Sequence, residues 1–146
     1  MKLQSFLVCD DIRREIGNKS TAVGIYNDRI YFNVTPDKKD MWPKVMKLGV
    51  LVRLLVEEEE KPAFFKIYKQ FNQKESKLLS DGKFPPIDSS RRIYTIAVVN
   101  NNFKFDEAGG MIFFIELLDE DNNNIFKLST DFAIQVEEVV TDQELH

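Results

Sequence analysis

The sequence predicts an all-β fold: an antiparallel β-sandwich of about eight or nine strands, with at most one or two short helices. Three observations carry that expectation. Apolar and polar residues alternate with a period of two in run after run, the pattern of half-buried strands. Asn, Asp, Gly and Pro break the chain at short, regular intervals. Phenylalanine is abundant, with 12 Phe against 4 Tyr and 1 Trp, and a stiff, bulky ring suits a pleated surface. Many short strands joined by turn residues point to a sandwich or barrel. The 146 residues suit one domain, expected over 1–140, with 141–146 as a flexible tail.

Taken in order, residues 3–9 form a first strand. Residues 10–17 read as a short polar segment in which Asp10 or Asp11 caps one helical turn and Gly17 ends it. Residues 20–26 and 29–34 read as a local hairpin across Asn27-Asp28, two residues that tolerate positive φ. A polar loop over 35–44 holds Pro36, Met41, Trp42 and Pro43. Residues 45–56 place Leu48, Val50, Val52, Leu54 and Val56 on one face, and Gly49, Leu51, Arg53 and Leu55 on the other. With apolar residues on both faces, this is a central strand or one whose outer face is covered.

A charged turn at 57–62 leads into a strand at 63–71, where Phe65, Ile67 and Phe71 alternate with Lys66, Tyr68 and Gln70. Residues 72–88 are the least regular. Ser80-Asp81-Gly82 and Pro85-Pro86 mark a loop with one short strand or turn, and a helix over 74–81 is the rival reading. Residues 92–99 return to strand, with Ile93, Thr95, Ala97 and Val99 opposing Tyr94, Ile96 and Val98. Asn100-Asn101-Asn102 is a turn or bulge, and Ala108-Gly109-Gly110 a turn. A strand at 111–118, a hairpin loop at 119–124 and a return at 125–128 follow. In a final strand Phe132, Ile134 and Val136 alternate with Ala133, Gln135 and Glu137.

The net charge is −4 and the densest charged run, Glu57 to Glu60, is acidic. A surface that tracks nucleic-acid phosphates carries the opposite bias, so no nucleic-acid partner is expected. The first apolar run is too short for a signal peptide and is followed at once by Asp10, Asp11, Arg13 and Arg14. No apolar stretch approaches the roughly 20 residues of a membrane span. One cysteine rules out an intrachain disulfide and fits a reducing, cytoplasmic location.

Two stretches carry a resemblance. Cys9-Asp10-Asp11-Ile12-Arg13-Arg14-Glu15-Ile16-Gly17-Asn18-Lys19, followed by Ala22-Val23-Gly24-Ile25-Tyr26, resembles the opening of a family of small uncharacterised bacterial proteins. That family brings no established activity. Phe105, Gly109-Gly110, Phe114, Ile115 and Leu117-Leu118-Asp119, then Phe132, Ile134 and Val136, are similar to the last hairpin of many immunoglobulin-like and C2-like sandwiches. This second resemblance implies architecture and no activity.

The residue inventory shows no recognisable catalytic set. His146 is the only histidine and Cys9 the only cysteine, too few for a zinc site of ordinary ligands. No cofactor or metal is expected, and Gly109-Gly110 lacks the lysine and helix of a phosphate loop. Met41, Trp42 and Pro43 form a candidate interaction surface, the alternative being a plug that closes one end of the sandwich. Asp10, Asp11, Arg13 and Arg14, with Glu15, form a candidate binding cluster on the loop rim. Asp119, Glu120 and Asp121, with Asp37, Asp40 or Asp106, are the acids a C2-like calcium site would draw on. Phe84-Pro85-Pro86-Ile87 reads as an exposed peptide motif or as a loop stiffened by its prolines. The expected function is a non-enzymatic binding or protein-interaction module, its partner another protein or a second copy. The alternatives are a rim-loop ligand or calcium binder and an enzyme with a carboxylate-based site.

Overall fold

A computed structural model describes residues 1–130 and 133–141. Among these, ten strands and one 3-10 turn form two packed sheets. The strands are β1 (Lys2–Glu15), β2 (Lys19–Ile25), β3 (Arg29–Val34), β4 (Lys44–Leu55), β5 (Phe64–Phe71), β6 (Lys77–Lys83), β7 (Ile93–Phe105), β8 (Gly109–Leu118), β9 (Asn124–Ser129) and β10 (Ile134–Val140). One sheet runs β2-β1-β4-β7 and the other β3-β10-β8-β5-β6, with β9 also paired to β8.

The core lies between the sheets. Val50, Val52 and Leu54 of β4, Tyr94 and Ile96 of β7, and Ile67, Phe113, Ile115 and Leu117 of the larger sheet are all buried in it. The two-residue rhythm therefore points each apolar set inward, as in any sheet with one buried face. Phe103 packs on Phe105 at 4.7 Å and on Phe113 at 6.3 Å between ring centroids, joining β7 to β8.

Several local expectations are corrected. Residues 10–15 are not a capped helical turn. They continue β1, paired to β2 from Asp11↔Val23 to Glu15↔Lys19. Gly17 and Asn18, at φ +89° and +58°, turn this arm. β2 and β3 do not form a hairpin either. β2 pairs with β1, whereas β3 pairs with β10, and in parallel, an exception to the antiparallel rule of the sheets. Asn27-Asp28 instead carries the chain across the sandwich: Tyr26 N donates to Val8 O on one side and Gln135 N to Asp28 O on the other, each at 2.8 Å. The segment 72–88, expected as a loop with one short strand or turn, contributes the strand β6, and the rival helix at 74–81 does not form. Gly82, expected to break the chain, sits within β6 because Phe65 lies over it: a Cβ there would meet the ring at 2.9 Å.

Asn100 to Asn102 form a bulge, not a turn. The β4–β7 register shifts between Met46 and Leu48, and β7 runs through it. Gly109 and Gly110 open β8 where a turn was expected. One edge of β8 is shared: β9 occupies it at residues 114–118 and β10 at 109–111. Of the tail expected over 141–146, Thr141 is described and its N donates to Val34 O at 2.9 Å; Phe132 and residues 142–146, His146 included, lie outside the described residues.

Lys69 is the buried charged residue of the described core, 8% exposed. Its Nζ donates to Lys104 O, lies 4.8 Å from the Phe103 ring centroid and sits 3.9 Å from Asp106. Burial lowers its pKa, with Asp106 opposing the shift. A lysine whose folded pKa lies below its unfolded value costs stability while charged. Stability therefore rises as pH climbs through the folded pKa towards the unfolded one. Lys69→Met is expected to remove that alkaline rise and to keep neutral-pH stability within about 1 kcal/mol of the parent, or above it. Urea unfolding across a pH series measures both.

Candidate functional site

The outer face of the four-stranded sheet is built in rows by strand register. Arg53 stands between Ser5 on β1 and Thr95 on β7, and Leu51 between Leu7 and Ala97. Gly49 lies between Cys9 and Val99. The small neighbours of Arg53 leave its guanidinium uncovered, and the residue is exposed.

β1 pairs with β4 only as far as Cys9, and beyond that point it pairs with β2 alone. The resulting β1–β2 arm packs against the outer face where Gly49 has no side chain. A Cβ there would lie 3.2 Å from both Cys9 Sγ and the end of Ile12. Cys9 is fully buried under this contact, with its thiol 3.6 Å from Gly49 O. Burial pushes its pKa up, and the charge of Asp10 adds to the shift, so the thiol stays protonated and poorly nucleophilic.

Between the arm, the sheet face and the 84–92 segment lies a cleft of about 710 Å³. Its floor is apolar, formed by Leu7, Leu51, Ile93 and Ala97. Its cationic lining comes from three separate places: Arg14 and Lys19 from the arm, Arg53 from β4, and Arg91 from the segment leading into β7. Glu15 is the one acidic lining residue, and its carboxylate accepts a hydrogen bond from Thr21 Oγ1 at 3.2 Å. The side chains of Arg14, Lys19 and Arg53 take part in none of the ion pairs or hydrogen bonds of the described residues. Arg91 lies 5.8 Å from the Tyr94 ring. Tyr94 Oη in turn accepts from Asp88 N at 2.8 Å and holds the segment in place. Asp88 is kept below the usual carboxylate range, chiefly by hydrogen bonds from Ser90, with Arg91 adding a smaller share.

The cluster expected at Asp10, Asp11, Arg13 and Arg14 is divided by the arm. Asp10 accepts a short hydrogen bond from Tyr26 Oη. Asp11 pairs with Lys47 at 3.0 Å, which lowers its pKa. Arg13 is exposed, and Arg14, with Glu15, reaches the cleft. Lys19, Arg53 and Arg91 were not among the expected site residues.

Met41, Trp42 and Pro43 lie elsewhere, in the segment before β4. Trp42 is half-buried against the core edge, its ring edge-on to Phe32 at 6.1 Å. Lys44 Nζ stands 4.8 Å from the Trp42 ring, donates to Met41 O at 3.2 Å and lies 3.9 Å from Glu138. Met41 points outward and is 60% exposed, and Pro43 is exposed. Phe84 is buried against Tyr94 at 5.3 Å, Pro85 lines the cleft and Ile87 is exposed.

Asp119 organises its own turn, its Oδ1 accepting from the backbone of Asp121 and Asn123 at 2.9 Å each. Asp106 pairs with Lys77 at 3.2 Å, and Asp37 accepts from Thr35 Oγ1. Among the described residues no group of three or more His, Cys, Asp or Glu is placed to hold a metal ion. No helix among them is long and apolar enough to cross a membrane. Neither the models of known protein families nor the curated proteins give a match to this chain.

Proposed function

We propose that this protein is a non-enzymatic binding module whose ligand is an organic anion with an apolar body, held in the cleft beneath the β1–β2 arm. One observation carries the reading. Four cationic side chains converge over an apolar floor in a protein of net charge −4, and none of the four makes an ion pair among the described residues. Like charges gathered without counter-ions raise the local potential, and a bound anion relieves it. The arginine fork suits a carboxylate, sulfonate or phosphate in two-point contact. The volume falls within the roughly 300–1,000 Å³ of small-ligand sites. Among the described residues the lining holds one carboxylate, Glu15, already engaged by Thr21, which supports binding over acid–base chemistry.

Anilinonaphthalene sulfonate, an apolar ring system bearing one anionic group, is a direct probe. Its fluorescence is expected to rise saturably with the folded protein, to weaken with salt as ionic contacts do, and to fall on addition of laurate. Arg53→Ala is expected to raise the probe's Kd about tenfold or more, equivalent to about 1.4 kcal/mol. Because the side chain is exposed, stability should move by less than about 0.5 kcal/mol. Probe binding that ignores both Arg53→Ala and salt would remove this reading.

A further inference from the structure

We infer that the free edge of β7 pairs antiparallel with the same edge of a second copy of this chain. β7 is the outermost strand of its sheet, and the backbone of residues 93–99 has no hydrogen-bond partner other than β4 among the described residues. This run reads Ile-Tyr-Thr-Ile-Ala-Val-Val, without a single charge. An exposed, uncharged, β-branched edge is a template for another strand, and sheets normally blunt such edges with charges, kinks or shortness.

The other edges of this molecule are blunted in those ways. β6 carries Lys77, Asp81 and Lys83. β2 opens on Lys19 and is bent by Gly24 at φ +66°. β3 is short and opens on Arg29, which pairs with Glu137 at 3.1 Å. β9 is short and carries Lys127, which pairs with Glu116 at 3.8 Å. Among the described residues β7 alone is left unguarded, and its bulge at 100–102 comes after the uncharged run, where pairing would stop.

Self-complementarity selects a second copy as the occupant. An antiparallel pairing centred on Ile96 sets Thr95 against Ala97 and Ile93 against Val99 on the outer face, and Tyr94 against Val98 on the core face. No like charges meet, and Arg92 and Arg91 fall opposite Asn100 and Asn101. A foreign strand would find no charge in this run to select it, whereas a two-fold axis makes the edge its own match. The product is one continuous eight-stranded sheet with both cationic clefts on the same side. The two β4 strands then stand roughly 14 Å apart, three strand spacings of about 4.8 Å.

Sedimentation velocity over a concentration series, together with hydrogen exchange, tests the inference. The wild-type protein is expected to dimerise, and the amides of residues 93–99 to gain protection as the dimer fills. Val99→Lys, at a position 39% exposed and outside the cleft, is expected to raise the dimer dissociation constant about tenfold or more. Its melting temperature at monomer concentrations should be unchanged. Leu78→Lys, on the β6 edge and 51% exposed, should leave the dimer intact. A wild-type protein that stays monomeric, a dimer indifferent to Val99→Lys, or a dimer without added protection at 93–99 overturns the inference. Sulfonate binding by the Val99→Lys monomer is read separately, so failure here is distinguishable from failure of the cleft's proposed role.

Discussion

Phe103→Ala is expected to destabilise the protein by about 3–5 kcal/mol, the range for emptying a large aromatic site in a closed core. The ring is fully buried and joins both sheets through Phe105 and Phe113. It also faces Lys69 Nζ at 4.8 Å. Alanine would leave an apolar void beside a poorly solvated ammonium, so water entering to serve the charge would loosen the packing around it. With total stabilities of about 5–15 kcal/mol, this one change would remove a fifth or more of the margin. Urea unfolding at constant m-value measures it. Phe103→Ala in the Lys69→Met background should cost less, because the stranded charge is then gone. Equal costs in the two backgrounds would show that the ring and the ammonium are not coupled.

Gly109→Ala is the second large effect, expected at about 3 kcal/mol or more from backbone strain and the loss of a polar clasp. Gly109 holds φ +120°, where L-residues are strained, and an added Cβ would lie 2.7 Å from Asn72 Cγ. Asn72 cannot yield freely. Its Nδ2 donates to Glu107 Oε2 and Ala108 O at 2.8 Å each, its Oδ1 accepts from Gly110 N at 2.9 Å, and its own N donates to Gly110 O at 2.8 Å. These bonds fasten the β5–β6 turn to the β7–β8 turn. In a double-mutant cycle, Asn72→Ala should make Gly109→Ala distinctly less costly, since the side chain it would strike has been removed. Strict additivity would place the whole penalty in the backbone angle.

The legible part of the fold is the part with a buried face. β4 was readable in detail: Leu48, Val50, Val52, Leu54 and Val56 face the core, while on the other side Gly49 lies under the arm carrying Cys9 and Ile12 and Leu51 floors the cleft. The arm itself was not readable. Beyond Cys9 it buries little, so the two-residue rhythm lapses, and Asp10 and Asp11 mimic the start of a helix. Asn27-Asp28 has the chemistry of a tight turn, but which sheet each flanking strand joins is decided by partners far along the chain. The cleft was hidden for the same reason. Arg14, Lys19, Arg53 and Arg91 sit far apart in sequence, and only strand register brings them together. The local sign available was Arg53 itself, a lone cation between Leu51 and Leu55 with short Ser5 and Thr95 abreast of it.

The parallel seam between β3 and β10 matters for how the molecule comes to be assembled. The β1–β2, β5–β6 and β8–β9 pairs join strands adjacent along the chain, so each can zip up soon after its turn closes. β3 must wait for residues about a hundred positions downstream, and closing so long a loop carries an entropic toll before any contact repays it. The larger sheet is therefore sealed late, and until then the flank of β3 stays open to chaperones and to chance encounters with other chains.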